Sequence, residues 1–475
     1  MSDFDSISIA DRQSEGPENA PEALMGLRGV KVWMCVLGCR SNLYDGDAIA
    51  GDLAARGAAV SERPEGCRVA VIVSCSVTAV ADKKCRQAVR RARRELDKNG
   101  TKGIVAVCGC WAQGLDAQEA KELGVDILAG SRRKSALPEA LEALVIDPPS
   151  RAELFDMRQN SDSRTWDPLT LNRPFLRTRA FLKVQEGCDH FCSYCVIPFL
   201  RGRSVSRPLD DVLSEARRVA EAGCQEIVLT GIHLGTYGQD RGSSLAELVR
   251  RVSGIPGLAR LRLGSLEPFA LDGDLLEALA SSSLFCPHLH LPLQSGDDEI
   301  LSRMRRGYTA DAFSRICDEA RRKLGDELHI SSDVLVAFPG ESEGAFRATL
   351  ALMERVGLGR VHVFPYSPRK GTLAVGFPDR VPSRAAAERM RAAMAAGEES
   401  LARYASRFVG SDLSVLIEGP GDEKGTFTGY TRNFISAKVG LDEGEKEKEE
   451  KPRAGREVLA RMTDCVKGEL RGYRC

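Results

Sequence analysis

The 475 residues carry no net charge, 67 Lys and Arg standing against 67 Asp and Glu. Any attraction to nucleic acid must come from local patches rather than a global field. No apolar run approaches the roughly 20 residues that a membrane-spanning helix needs. No basic start followed by an apolar stretch opens the chain, since Met1 to Glu22 is acidic, Ser-rich and Pro-bounded. These absences argue against a membrane protein and against export. The 15 Cys are therefore expected to be reduced thiols in the cytoplasm, used for metal or catalysis. One further absence is local. Gly187-Cys188-Asp189-His190-Phe191-Cys192-Ser193-Tyr194-Cys195 places thiols at i, i+4 and i+7 with no fourth nearby. Electron-transfer iron–sulfur clusters use four Cys. Three thiolates hold three corners of a cubane and leave the fourth iron open to substrate or cofactor. The alternatives are a zinc knuckle, which usually adds a second Cys pair at a distance that is missing here, or three unrelated thiols.

At roughly 150 residues per domain the length suggests about three domains. Residues 1–28 read as a disordered tail. A first domain, 29–146, holds strand-like runs at Val30–Met34, Val69–Val73, Ile104–Val107 and Ile127–Gly130, alternating with helical stretches. That alternation predicts a small parallel α/β sheet, whose ligands gather at the carboxyl ends of the strands. Three of those ends carry a thiol: Cys39, Cys75 and Cys110, 36 and 35 residues apart. One βα repeat between each pair should bring all three to one edge as a second three-Cys site. Cys35 and Cys108 lie within the strand runs and are core candidates. Between the second and third strands, Lys83 to Arg94 carries seven basic residues and no acid. A solvated helix face normally mixes signs, so Lys83, Lys84, Arg86, Arg90, Arg91 and Arg94 are candidate phosphate contacts.

Residues 147–173, rich in Pro, Ser, Arg and Asp, read as a linker. The second domain, 174–404, shows six strands: Arg179–Gln185, Glu226–Thr230, Leu261–Gly264, His288–Leu291, Ile330–Val336 and Val361–Phe364. With helices between them they predict a partial (β/α)6 TIM-like barrel whose site lies at the strand C-termini. The Cys188 loop follows the first strand and shares that face, with His233 as a further candidate for the site or for loop packing. The third domain, 405–475, changes to short strands at Asp412–Glu418, Gly429–Ile435 and Arg456–Ala460, a small β-barrel of an RNA-binding kind. Phe427, Tyr430 and Phe434 could stack on bases, although core packing is the expected role of at least two. From Ala405 onward 13 basic residues balance 13 acidic, so charge alone gives RNA binding no support there. The alternating Glu/Lys run 442–451 reads as a loop insertion. Cys224, Cys286, Cys317, Cys465 and Cys475 have no partner pattern and read as structural or incidental.

Together these motifs resemble the radical SAM methylthiotransferases over residues 29–475. Cys188-x3-Cys192-x2-Cys195 after a barrel strand is similar to the radical SAM signature, and the three upstream Cys with the C-terminal β-barrel narrow the likeness. The resemblance implies an auxiliary-cluster domain, a radical SAM barrel and a C-terminal TRAM (OB-like) domain. It implies two 4Fe-4S clusters, one on Cys39, Cys75 and Cys110 and one on Cys188, Cys192 and Cys195, with S-adenosylmethionine on the open iron of the second. Gly231, Ser265, Glu267 and Gln294 are then candidates for positioning S-adenosylmethionine. The first cluster would carry the sulfur. Implied partners are a tRNA anticodon stem-loop, a low-potential electron donor of flavodoxin or ferredoxin type, and a sulfur donor. Leu37-Gly38-Cys39-Arg40-Ser41-Asn42 and His362 to Thr372 are most similar to the MtaB-like type. Its substrate is threonylcarbamoyl-adenosine at position 37, next to the anticodon. Isopentenyl-adenosine in tRNA and a ribosomal-protein aspartate are the substrates of the other types. A non-catalytic two-cluster electron carrier is the rival from another class.

Overall fold

The computed structural model describes residues 26–99, 103–147, 154–159, 164–174, 177–423, 425–441 and 453–475. The Glu/Lys run 442–451 lies outside them, as does most of the expected tail. Of that tail, Leu27 is buried and donates its N–H to the Arg56 carbonyl at 3.0 Å, so the packed domain begins before residue 29.

Six parallel strands form the N-terminal sheet: β1 (Lys31–Val36), β2 (Ala59–Ser61), β3 (Val69–Ser74), β4 (Ile104–Gly109), β5 (Ile127–Ala129) and β6 (Phe155–Asp156). Their order is β2-β1-β3-β4-β5-β6. Four were expected. β2 is only three residues long and lacks a clear period. β6 falls inside the stretch read as a linker, where Phe155 pairs with Ile127. The same stretch buries Leu169 and Leu171 and places the Asp167 carboxylate on the Lys134 and Ser135 N–H groups. Its described residues 164–173 pack against the N-terminal domain, where Tyr44 and Arg132 donate to the Leu169 and Thr165 carbonyls. β3 and β4 are buried nearly throughout because helices cover both faces, which explains their unbroken Val/Ile/Ala runs.

β7 (Ala180–Lys183) starts the second domain and is followed by a two-residue antiparallel pair, β8 (Gln185–Glu186) with β9 (Val205–Ser206), which brackets the Cys188 loop. Then come β10 (Glu226–Thr230), β11 (Arg260–Leu263), β12 (His288–His290), β13 (His329–Val336) and β14 (Val361–Pro365). β7, β10 and β11 form one parallel ladder and β12, β13 and β14 another, joined by Leu261 to Phe285 and Ser265 to His290 bridges. The result is the expected six-stranded partial barrel. Helix α1 (Arg40–Ala55) is packed between the N-terminal sheet and β7, and one apolar cluster runs from Met34 and Val71 through Ile49 and Leu53 to Leu182 and Leu229. The first two domains therefore share a core.

β15 (Asp412–Pro420), β16 (Thr426–Thr431), β17 (Ser436–Gly440), β18 (Glu457–Val466) and β19 (Glu469–Arg474) close into a TRAM-like barrel in the order β15-β16-β17-β19-β18. Here one expectation is corrected. Gly429–Ile435 is not one strand: β16 stops at Thr431, and Phe434 takes a left-handed φ of 62° in a turn before β17. That turn seats on the amino-terminal mouth of the six-stranded barrel. Arg260 donates to the Tyr430 carbonyl at 3.1 Å, Arg262 to those of Arg432 and Thr431 at 2.6 and 2.9 Å, and His329 bonds the Asn433 carbonyl at 2.8 Å. Beneath it Glu226 faces Arg179, Arg260 and Arg262. Burial alone would raise its pKa, but the three guanidiniums outweigh that and bring it to about 2.

Candidate functional site

Cys39 caps α1, Cys75 follows β3 and Cys110 opens the helix after β4, so topology alone brings the three thiols to one sheet edge. Gly38 permits the closest approach. With φ 104° it sits where a Cβ would meet Cys75 Cβ at 2.5 Å and Sγ at 2.8 Å. Asn42 ties two strand ends together, donating to the Leu37 carbonyl at 2.6 Å and the Ser74 carbonyl at 3.0 Å. Cys75 and Cys110 are buried, whereas Cys39 is exposed. Burial, then the neighbouring Cys39 and Cys110, pushes the Cys75 thiol far above its ordinary range. Burial also raises Cys110, opposed by Arg201.

Arg201, from the barrel domain, is the residue that the sequence reading missed here. Fully buried, it donates Nε to Cys110 Sγ at 2.9 Å, Nη1 to Glu186 at 2.8 Å and Nη2 to Asn42 Oδ1 at 2.6 Å. Asp45 is held by Lys134 and Lys183, each at 2.6 Å, and Lys183 reaches Glu186 at 3.2 Å. Burial opposes ionisation of Glu186 and Asp45, yet these cations hold both carboxyls below the usual range. Arg201, with Lys134 and Lys183 behind it, brings positive charge to the buried side of the thiols. A 4Fe-4S core of charge 2+ on three thiolates has net charge −1. Donors aimed at sulfur and a matching counter-charge are what such a cluster requires of its surroundings. The residues present fit it.

The second group lies in the loop after β8. Gly187 has φ 73°, and a Cβ there would strike the Arg203 carbonyl at 2.0 Å, so the loop cannot turn here with a side chain. The His190 N–H points to Cys188 Sγ at 3.4 Å, and Arg306 Nη1 to Cys192 Sγ at 3.3 Å. His233 Nδ1 lies 3.7 Å from Cys188 Sγ, which places His233 in the site. The far ring nitrogens of His190 and His233 are buried with no hydrogen-bond partner among the described residues, as suits groups that face a bound ligand. Burial, with the neighbouring thiols adding to it, raises Cys188 to about 11 and Cys195 to about 12. Metal loading must therefore expel protons. Among the described residues no three His, Cys, Asp or Glu are gathered tightly enough for one metal ion.

Of the four cofactor-positioning candidates, Glu267 is joined to the loop: Arg306 binds it as well as Cys192. Gly231 sits against the Gln185 side chain, whose Oε1 accepts the His233 N–H at 2.7 Å. Ser265 is exposed beside β12, and Gln294, with φ 64°, bridges to Val334. All four follow strand ends on the loop's face of the barrel.

The basic stretch forms helix α2 (Ala79–Leu96), N-capped by Thr78. Lys83, Arg90, Arg91 and Arg94 are on its outer side, and Arg91 also lies over the Trp33 ring. Lys84 is half-buried, and Arg86 pairs with Glu119 at 2.7 Å. Arg93 instead bonds the Gly124 and Gly103 carbonyls and Asp126, a structural role. Tyr430 and Phe434 pack, the role expected of at least two of the three aromatics: they stack on each other at 4.8 Å, and Phe434 packs on His288 at 4.8 Å inside the plug. Phe427 packs against the core of its own barrel. Cys85, unassigned from sequence, is buried and bonds the Cys75 backbone N–H at 3.5 Å. Cys108, Cys224, Cys286 and Cys317 are buried as structural thiols would be, while Cys35 is only half-buried.

Residues 182–353 match the model of the Radical SAM superfamily and residues 31–130 that of Uncharacterized protein family UPF0004. A Bacillus subtilis protein named threonylcarbamoyladenosine tRNA methylthiotransferase MtaB is 34% identical over 84% of this chain and 88% of its own. A Syntrophotalea carbinolica protein named tRNA-2-methylthio-N(6)-dimethylallyladenosine synthase is 33% identical over 80% of this chain and 87% of its own. Among solved structures, the radical S-adenosylmethionine methyltransferase TsrM from Kitasatospora setae aligns with TM-score 0.53 at 16% identity. That alignment covers 72% of this chain and 77% of that one, a likeness of fold alone. With a relative at 34% identity spanning most of both chains, this protein belongs to the radical SAM methylthiotransferase family.

Proposed function

We propose that this enzyme attaches a methylthio group to carbon 2 of N6-threonylcarbamoyl-adenosine at position 37 of tRNA, working in the cytoplasm. The observation that carries the reading is the pairing of two three-thiol groups, each completed by a guanidinium on a sulfur. Cys39, Cys75 and Cys110 would hold the sulfur-carrying cluster, and Cys188, Cys192 and Cys195 the one that takes S-adenosylmethionine. When bound, these groups supply one-electron cleavage of S-adenosylmethionine and a sulfur donor for an unactivated C–H position. The chain's own residues do the rest. Arg201 and the Lys134–Asp45–Lys183–Glu186 network fix Cys110 and balance its charge in a dry junction. Arg306 holds Glu267 and Cys192 in one frame, so the loop and the strand-end rim keep their relative position. His233 and His190 line the loop's open side. Gly231, Ser265, Glu267 and Gln294 would orient S-adenosylmethionine, and the basic face of α2 would grip anticodon phosphates. A low-potential flavodoxin- or ferredoxin-like donor and a separate sulfur donor complete the requirements.

Relatives of both tRNA-modifying types match at nearly equal identity, so identity does not separate the bases. The MtaB-like reading rests on the motifs at 37–42 and 362–372. Mass spectrometry of tRNA nucleosides from cells with and without the gene tests it. The methylthio derivative of threonylcarbamoyl-adenosine should vanish on deletion. Its persistence, with loss of the isopentenyl derivative instead, would contradict the assignment.

A further inference from the structure

Along the inner strands of the barrel, apolar and polar residues alternate. Leu261 and Leu263, Leu289, Ile330 and Val334, and Val361 and Val363 pack into the apolar core. Their neighbours Arg262, His290, Asp333 and His362 therefore face the lumen. The lower lumen is closed: the 430–434 turn and Glu226, Glu418 and Glu457 engage Arg179, Arg260 and Arg262. Next to this closed set stands one more guanidinium. Arg40, the residue after Cys39, reaches in from the N-terminal domain and, among the described residues, makes a single long hydrogen bond, 3.5 Å to the Leu263 carbonyl. Its guanidinium lies 6.0 Å from the centre of the Phe434 ring. Arg40 forms no ion pair among the described residues. Asp333, the carboxylate on the facing strand, is engaged by His290 at 3.3 Å and still keeps 28% of its side chain exposed, although β13 is an interior strand. Arg40 likewise keeps partial exposure. Both keep solvent-accessible side-chain surface on the lumen.

We propose that Arg40 is a specificity-determining residue that receives the carboxylate of the threonyl arm of the substrate base. The proposal rests on the substrate reading above. A guanidinium presents paired N–H donors that match a carboxylate. A guanidinium with one weak partner, held beside Cys39, gives an anionic arm a place next to the strand-end thiols. A purely hydrocarbon arm offers nothing to that cation and would leave it desolvated, so the same residue selects against it.

The test uses anaerobically reconstituted enzyme and three tRNAs, bearing N6-threonylcarbamoyl-adenosine, the methyl ester of its threonyl carboxylate, or isopentenyl-adenosine. Wild type should lose roughly 10- to 100-fold in kcat/KM on the ester, the range for a hydrogen bond to a charged group. Arg40→Gln should treat acid and ester alike, and Arg40→Lys should regain part of the preference. A merely structural role would lower both substrates together. Wild type that handles acid and ester equally overturns the proposal without recourse to a variant, as does Arg40→Gln that keeps the full preference. Wild type that modifies only tRNA bearing isopentenyl-adenosine overturns the substrate reading itself, and with it this proposal.

Discussion

The two three-thiol groups are built in opposite ways. Cys188, Cys192 and Cys195 lie within one loop, and the side chains that support them, Arg306, Glu267 and His233, belong to the same barrel. Cys39, Cys75 and Cys110 come from three strand ends spread over 71 residues, and their support comes from the neighbouring domain through Arg201, Glu186 and Lys183. A loop site exists wherever its loop folds. A strand-end site exists only while the sheet is formed and the two domains are docked.

The largest break in this comparison should come from Arg201→Leu. Removing one member of a buried ionic network typically costs about 3–5 kcal/mol. Iron should be lost from the strand-end site and kept at the loop, read by denaturant unfolding and by iron per chain after reconstitution. Arg306→Ala is the matching lesion at the loop. It removes one N–H from Cys192 and the partner of Glu267, at about 1.5–3 kcal/mol for a hydrogen bond to a charged group. S-adenosylmethionine cleavage should fall while iron at the strand-end site is unchanged.

Acid should separate the sites in the metal-free protein. Glu186 and Asp45 have folded pKa values held below the ordinary range. The stability they contribute is full above the unfolded value, about 4, and is lost as pH falls through the folded values. As pH falls below about 4, hydrogen exchange should accelerate in residues 39–46 before residues 188–195. Simultaneous opening would mean that the junction is not what supports the strand-end site. The smallest effect is expected from charge reversal on α2, Arg90→Glu with Arg94→Glu. tRNA affinity should weaken, and its salt dependence should flatten by about one unit of slope for each phosphate that α2 no longer neutralises, with iron at both sites unchanged. An unaltered salt slope would leave α2 as an ordinary surface helix.

The same contrast explains what the sequence made legible. The loop is written in local spacing, so Cys188, Cys192 and Cys195 stand out at once. The strand-end set needs the regular βα repeat, which places Cys39, Cys75 and Cys110 one repeat apart. Arg201 and Arg306 are invisible in the sequence because an Arg in a short helix or a turn looks the same whether it faces water or a thiol. Arg40 stands inside a recognisable motif, but its side chain crosses a domain boundary that no local pattern records. The turn at 432–434 reads as strand because Tyr430 and Phe434 favour strands, whereas docking on His288 and Arg262 decides their conformation. β6 hides in a composition that looks like linker. Six short polar–apolar strands, by contrast, are enough to read the barrel.

Iron content tests the central claim most directly. Enzyme reconstituted anaerobically should hold about eight irons per chain, from two four-iron clusters. Cys39→Ala/Cys75→Ala/Cys110→Ala and Cys188→Ala/Cys192→Ala/Cys195→Ala should each hold about four. The same total in the first variant as in wild type would contradict the account, because the strand-end thiols would then hold no cluster of their own.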